Sequence, residues 1–396
     1  NLGIAPSVRD VLARLHFTTP TPIQHQSIPV AIDGKDVIGV AQTGTGKTLA
    51  FGIPMIQRLG ASDERGLILV PTRELALQVD ETLRKIGGPL GIKTAVLIGG
   101  TAMGPQLTAL SRNPHVVIAT PGRLIDHLEQ GTIRLNYVGI LVLDEADRML
   151  DMGFLPQMNK ILAQLPKERQ TMLFSATLSN EIMQIATKHM KIPTRIEIAP
   201  QGTTADRVTQ EIFIVPKQSK LALLEKVLQE YNGSTLVFTR MKYSAKRIAA
   251  RLRAVGHNAA EIHSNRSLNQ RKEALEGFKR GKYRVLVATD IAARGIDVSN
   301  IELVINYDLP MQSADYVHRI GRTGRAGAAG HAISFAMPSE RREVASIERL
   351  IKKQLPVAKL PQDLPQSTLP PVDRDDRPRG FRGRAAPRRP RTFRRR

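Results

Sequence analysis

Short apolar, β-rich runs recur along the first half of the chain at Asp36–Val40, Gly66–Val70, Lys93–Ile98, His115–Ala119, Ile140–Leu143 and Thr171–Phe174, with helix-like amphipathic stretches between them. Runs apolar at consecutive positions suit strands buried on both faces, and their alternation with helices predicts a parallel α/β sheet. Near residue 200 the pattern breaks at Ala199-Pro-Gln-Gly-Thr-Thr-Ala205, a polar, Gly/Pro-containing stretch that reads as a linker. It then restarts, with runs at Thr209–Val215, Thr235–Phe238, Ala259–Ile262, Arg284–Ala288, Leu303–Asn306 and His331–Phe335, and helical segments such as Lys220–Tyr231 and Ala245–Val255. Two tandem α/β domains are expected, over 1–200 and 209–360, joined by a linker at 201–208 and followed by a tail at 361–396. A chain of 396 residues is long enough for two full cores.

Composition narrows the chemistry. With no Cys, disulfides and thiolate metal sites are excluded, and none of the nine His stands at ligand spacing. No uninterrupted apolar stretch reaches about 18 residues, and the start NLGIAPSVRD lacks the basic-then-apolar order of a signal peptide, so a soluble protein with no membrane partner is expected. The formal charge of +22 makes a polyanion, above all nucleic acid, the leading partner. Much of that charge is local: from Asp373 to Arg396 there are eleven Arg against three Asp. This Arg/Pro/Gly text cannot bury enough apolar surface to offset ordering entropy and is expected to stay disordered. Its Phe381 and Phe393 could stack on bases while the charges follow phosphates.

Two strings name a reaction. AQTGTGKT (41–48) follows the run ending at Val40 and opens a helix predicted over Thr48–Leu59, which is the context of a phosphate loop. Gly44 and Gly46 permit the tight turn, Lys47 neutralises the β- and γ-phosphates, and the Thr48 hydroxyl reaches Mg²⁺. About a hundred residues later Asp-Glu-Ala-Asp (144–147) ends the run Ile140–Leu143. A carboxylate at a strand end, here Asp144, joins the Mg²⁺ shell, and a neighbouring acid, Glu145, can orient or deprotonate the attacking water. Asp147 either caps the following helix or reports to the other domain. The second-half turn TLVFTRMKYSAKR has no Gly-Lys-Thr, so ATP is expected in the first domain, facing the second across a cleft. HRIGRTGR (318–325) carries three Arg and a His on that second half, suited to bidentate contact with developing phosphate charge. Ahead of the loop, Phe17 and the string PTPIQ ending in Gln24 could serve the base, since an amide can pair with the N6/N7 edge of adenine.

Taken in order, PTPIQ, AQTGTGKT, PTRELALQ (71–78), Gly99-Gly100, TPGR (120–123), DEAD, SAT (175–177), LVFTR (236–240), ATDIAARGID (288–297) and HRIGRTGR resemble the DEAD-box RNA helicases, over about residues 15 to 340. Ala41, a departure from the general phosphate-loop pattern, is common in that family. The resemblance implies two RecA-like domains, ATP and Mg²⁺ as cofactors, RNA-stimulated ATP hydrolysis and local separation of short duplexes without processive translocation. It implies that Phe17, Gln24, Thr43, Gly44, Thr45, Gly46, Lys47 and Thr48 bind nucleotide, with Gly295 and Asp297 touching it from the second domain. Lys47, Thr48, Asp144 and Glu145 would act in catalysis with Arg322 and Arg325 as fingers, and Thr48 and Asp144 would hold the metal, largely through water. Ser175 and Thr177, linked with Asp147 and His318, would couple hydrolysis to strand separation. RNA backbone contacts would come from Arg73, Gly100, Thr120 and Arg123 in the first domain and Arg240, Arg271, Thr289 and Asp290 in the second.

Two departures qualify that transfer. The aromatic that many members carry upstream of the Gln motif would fall before Asn1, and Leu268 stands where members often have Gln, three residues before Arg271. The text HSNRSLNQRKEALEGFKRGKYRVLVATDIAARGIDV with a short basic tail is similar to the bacterial RhlE-type subgroup, which implies cytoplasmic work on structured RNA in ribosome assembly or RNA turnover; no segment after residue 360 reads as a dimerisation domain, so a monomer is expected. Two other readings use the same residues: an ATP-dependent RNA clamp with little unwinding, and a DNA helicase on the same core.

Overall fold

In a computed structural model describing residues 2–42, 44–198, 208–290, 301–324, 330–362 and 364, the apolar runs become strands of two separate sheets. The first contains β1 (Val37–Val40), β2 (Arg65–Leu69), β3 (Thr94–Leu97), β4 (Val116–Ala119), β5 (Val138–Asp144), β6 (Gln170–Ser175) and β7 (Thr194–Glu197), in spatial order β3-β4-β2-β5-β6-β1-β7. The second contains β8 (Val208–Ile214), β9 (Thr235–Phe238), β10 (Ala259–Ile262), β11 (Val285–Ala288), β12 (Leu303–Asn306) and β13 (Gly330–Ala336), in order β10-β11-β9-β12-β13-β8. Neighbouring strands pair in parallel throughout.

The alternation of a strand explains why helices cover both faces. In β5, Ile140 and Val142 enter one apolar cluster while Leu141 and Leu143 enter another on the opposite face. In the second sheet Leu236 and Phe238 of β9 face one cluster and Val237 the other.

The sequence pattern predicts six strands in the first half; the seventh, β7, is the edge strand beside β1. Its text Thr-Arg-Ile-Glu buries Ile196 alone, too weak a signal for a periodicity reading. Val208, expected at the end of the linker, already belongs to β8; the rest of the linker lies outside the described residues. The chain after the last helix stays on the second core as far as Leu364. Ala358 N–H donates to Ile212 O (2.9 Å), Ile212 N–H donates to Pro356 O (2.9 Å), and Leu364 packs on the same core. The Arg-rich stretch of the tail lies outside the described residues.

Parallel strands leave their C-terminal ends on one edge, the usual place for ligands in such sheets. The phosphate loop follows β1, PTREL follows β2, Gly99-Gly100 follows β3, TPGR follows β4, DEAD ends β5 and SAT ends β6. Six strings spread over residues 41 to 177 are thereby gathered on one sheet edge. The halves also touch: Leu268 packs against the first-domain core, and Arg271 Nη2 lies 2.7 Å from Glu74 Oε2.

Candidate active site

The phosphate loop is shaped by two left-handed glycines, Gly44 (φ +87°) and Gly46 (φ +91°). Gly46 caps the helix Lys47–Leu59, whose first-turn N–H groups open toward the loop as an anion site. A side chain is excluded at Gly46 on a second count, since a Cβ there would stand 2.3 Å from Gln24 Nε2. That amide is clamped at both ends: Gln24 Oε1 accepts from Thr21 N–H (2.9 Å) and Nε2 donates to Gly46 O (3.0 Å). Gln24 therefore holds the loop itself. Thr45 Oγ1 donates to Gln42 O (2.7 Å), and the buried Lys47 ammonium lies across the loop, donating to Ala41 O (3.0 Å). Thr48, half-buried, is the second residue of the helix. Phe17 is exposed, with its backbone N–H donating to Leu12 O (2.9 Å). Thr43 lies outside the described residues.

Asp144 ends β5 and accepts from Glu145 N–H (3.0 Å). Glu145 has φ +51°, a conformation rare for a residue with a side chain and characteristic of functional sites. Burial raises the Asp144 carboxyl to about 6, against the opposing pull of Lys47. Burial would raise Glu145 too, but Arg148, Lys47 and Arg322 outweigh it and hold this carboxyl at about 2. Its ion pair with Arg148 is direct. Two adjacent carboxylates thus differ in proton affinity, which divides their roles. Asp147 binds neither: its carboxylate accepts from Arg148 N–H (2.9 Å), Ala176 N–H (3.1 Å), Thr177 N–H (3.0 Å) and Thr177 Oγ1 (3.2 Å), while its own N–H donates to Ser175 Oγ (3.2 Å). DEAD and SAT are one rigid unit.

The second domain reaches this unit. His318, lowered in pKa first by burial and raised in part by Asp147 and Glu145, sits within their electrostatic reach, and the buried Arg322 helps to keep Glu145 ionised. Arg325, Gly295 and Asp297 lie outside the described residues.

A second group forms around a cavity of about 450 Å³ between the domains, lined among others by Arg73, Thr120, Arg123 and Gly99 from the first and Ser264 and Arg271 from the second. Gly100 (φ +74°) lets Arg73 approach; a Cβ there would meet its Nη1 at 2.0 Å. Burial lowers the Arg73 pKa, and Arg271 and Arg123 lower it further, the signature of cations crowded against each other. Such a concave basic surface suits a phosphate backbone. Arg123 is steadied by Thr101 O (3.2 Å) and Asp126 (3.2 Å), while Arg271 is committed to Glu74.

Along the edge of the second sheet, Arg240 Nε donates to Leu309 O (2.7 Å) and Nη2 to Glu340 Oε1 (3.0 Å); Thr289 is buried, its N–H donating to Ile262 O (3.3 Å). Asp290 is gripped by both arms of Arg319 (2.6 and 2.7 Å), which also donates to Asn306 Oδ1 (3.0 Å) and Asp308 O (2.6 Å) and lies over the Phe238 ring. Sequence reasoning missed Arg319, the first Arg of HRIGRTGR. Its signal was its company: between Tyr316 and Ile320, both buried, an Arg on the same face must bring its own acceptors inside.

Family comparison agrees with this geometry. The family model described as DEAD/DEAH box helicase matches residues 21–185, and that described as helicase conserved C-terminal domain matches 219–327. The chain is 42% identical to the ATP-dependent rRNA helicase RRP3 of Yarrowia lipolytica, over 90% of this chain and 75% of that protein. It is 42% identical to the DEAD-box ATP-dependent RNA helicase CshA of Geobacillus kaustophilus, over 91% of this chain and 78% of that one. A solved structure of S. cerevisiae Dbp5 bound to RNA and ADP BeF3 superposes with a TM-score of 0.80 at 30% identity, covering 90% of this chain and 94% of the other. Among the described residues no helix is long and apolar enough to cross a membrane.

Proposed function

We propose how this chain, which belongs to the DEAD-box family of ATP-dependent RNA helicases, joins hydrolysis to strand separation: its catalytic centre is completed by domain closure over RNA. The observation that carries this reading is the electrostatic reach of Arg322, on the second domain, to Glu145 on the first. The left-handed glycines, the helix N-terminus and the buried Lys47 fit a nucleotide triphosphate, which Gly44, Thr45, Gly46, Lys47 and Thr48 would hold with Thr43, while Gln24 fixes the loop's shape and selects the base. Bound Mg²⁺-ATP supplies the anhydride to be cleaved and the charge that neutralises it, with Asp144 and Thr48 on the metal side.

Glu145, held ionised by Arg148, Lys47 and Arg322, orients the attacking water. Arg322, with Arg325, balances charge developing on the transferred phosphoryl group. Gly295 and Asp297 complete the nucleotide site from the second domain. Asp147, bonded to Ser175 and Thr177 and facing His318, carries the state of the site to the domain interface.

RNA lies against Arg73, Gly100, Thr120 and Arg123, and against Arg240, Arg271, Thr289 and Asp290 of the second domain, with the Arg271–Glu74 pair also bracing closure. Backbone contact gives little sequence preference. Closure bends one strand, a short duplex cannot persist, and phosphate release reopens the cleft. Relatives named as rRNA helicases support work in ribosome assembly, with RNA turnover as a neighbouring task. The second-domain text and basic tail support an RhlE-type, cytoplasmic, monomeric enzyme whose tail raises the local RNA concentration. The test is RNA-stimulated ATPase measured beside strand release on duplexes of graded length. Short duplexes are released at a rate set by turnover, and Glu145→Gln binds ATP and RNA without turnover. Turnover without strand release would favour a clamp, and equal stimulation by single-stranded DNA would end the RNA assignment.

A further inference from the structure

Three large side chains stand exposed on one edge of the second sheet: Met241 (62% exposed), Tyr243 (66%) and Met311 (86%). Single exposed apolar residues are ordinary, but these three stand where two tied strand ends meet: Met241 caps the helix Lys242–Ala254, Tyr243 lies in its first turn, and Met311 lies on the loop after β12. Met241 and Tyr243 follow β9, Met311 follows β12, and those strands are neighbours. Thr239 Oγ1 donates to Asp308 Oδ2 (2.7 Å), Arg240 N–H donates to the same oxygen (3.1 Å), and Arg240 Nε donates to Leu309 O (2.7 Å). The backbone carrying the exposed side chains is thus fixed before any ligand arrives.

The patch is also continuous with the basic cavity. Lys242 Nζ donates to Asn265 Oδ1 (3.0 Å) on the loop after β10, and Ser264, the preceding residue of that loop, lines the cavity beside Arg73 and Arg123. Lys242 Nζ also stands 5.3 Å from the Tyr243 ring centroid, so the aromatic face comes with a cation. Exposed Lys246 and Arg247 follow one turn later on the helix Lys242–Ala254. A planar ring and two polarisable thioethers set among cations match a ligand that offers flat π-faces on an anionic thread, which is single-stranded nucleic acid.

We propose that Tyr243, on the same sheet edge as Met241 and Met311, is a base-stacking platform that receives a nucleobase of the RNA strand where it leaves the interdomain cavity over the second domain. The proposal rests on the reading that the cavity of Arg73 and Arg123 takes the RNA backbone, and it adds something those contacts lack. Phosphate contacts do not detect whether a base is present; a stack does, with little regard to which base it is. The platform holds the exit side of the strand while closure bends the part inside the cavity.

The test uses the full chain with a non-hydrolysable ATP analogue, an oligouridylate, and an abasic ribose-phosphate oligomer of the same length. Tyr243→Ala is expected to lose about 5- to 100-fold in affinity for the oligouridylate. The same variant binds the abasic oligomer as the parent does, with an unchanged salt slope, and Tyr243→Phe restores oligouridylate binding. Parental affinity of Tyr243→Ala for oligouridylate, as expected if the patch serves a protein partner, overturns the proposal; so does an equal loss on both oligomers. Arg123→Ala separates the two readings: weaker binding of both oligomers keeps the cavity as the RNA path when stacking fails, and unchanged binding of both removes it.

Discussion

Glu74 and Arg271 form an ion pair that exists only when the domains meet. Their side chains are 8% and 10% exposed, with Nη2 and Oε2 2.7 Å apart, and among the described residues neither Glu74 Oε1 nor Arg271 Nε finds a hydrogen bond. Removing one partner leaves the other charge buried, which costs about 3–5 kcal/mol in such settings. Arg271 borders the 450 Å³ cavity, where water reaches it, so the lower end applies. In separated domains both groups are hydrated, and the cost falls entirely on closure. At 1.4 kcal/mol per decade, about 3 kcal/mol lowers the closing equilibrium roughly 100-fold. Glu74→Leu should therefore raise the KM for RNA in the ATPase assay by about that factor while kcat at saturating RNA stays near parental. Glu74→Leu with Arg271→Met replaces the pair by apolar groups of similar size and should recover most of the loss. A parental KM in Glu74→Leu refutes the brace; a double variant as weak as Arg271→Met alone would mean that Arg271 binds RNA itself.

Asp144, raised to about 6 by burial, binds more protons folded than unfolded between its ordinary range and that value, so it lowers stability as pH rises. Nucleotide-free Asp144→Asn should accordingly melt above the parent at pH 7.5, with the gap closing toward pH 4; a constant gap would contradict the sign. Lys47→Ala should weaken ATP binding by at least tenfold in a direct titration, because it removes the cation buried at the loop, and parental affinity would count against the phosphate-loop reading. Deleting residues 373–396 should lower RNA affinity and flatten its salt dependence while saturated turnover stays intact; an unchanged slope would mean that the tail does not touch RNA.

Where a residue's local conformation follows from its chemical type and immediate text, the sequence was sufficient. The glycines of AQTGTGKT and the strand-ending acids needed only a strand before them and a helix after, and both are present. Buried strands were legible as apolar runs, whereas β7, which buries only Ile196, was not. Contacts made through folding were hidden. Nothing in PTPIQ says that Gln24 clamps Gly46, and nothing near Leu268 says that it packs on the other domain's core rather than facing RNA. Arg271 was expected on RNA through the family resemblance; that it also pairs with Glu74, almost two hundred residues away, was not legible. Arg319 needed Asp290, just past β11, brought beside Asn306 and Asp308 at the end of β12.

On the proposed reading Asp144 and Glu145 are half of a site, and Arg322, whose charge helps keep Glu145 ionised, belongs to the other half. The direct measurement is the RNA-stimulated kcat of Arg322→Ala beside its ATP affinity without RNA. Affinity should stay parental, because the phosphate loop belongs to the first domain, while kcat falls about 10³-fold or more, as loss of a phosphoryl-transfer arginine does. A kcat within tenfold of parental would show that the two carboxylates suffice without the second domain.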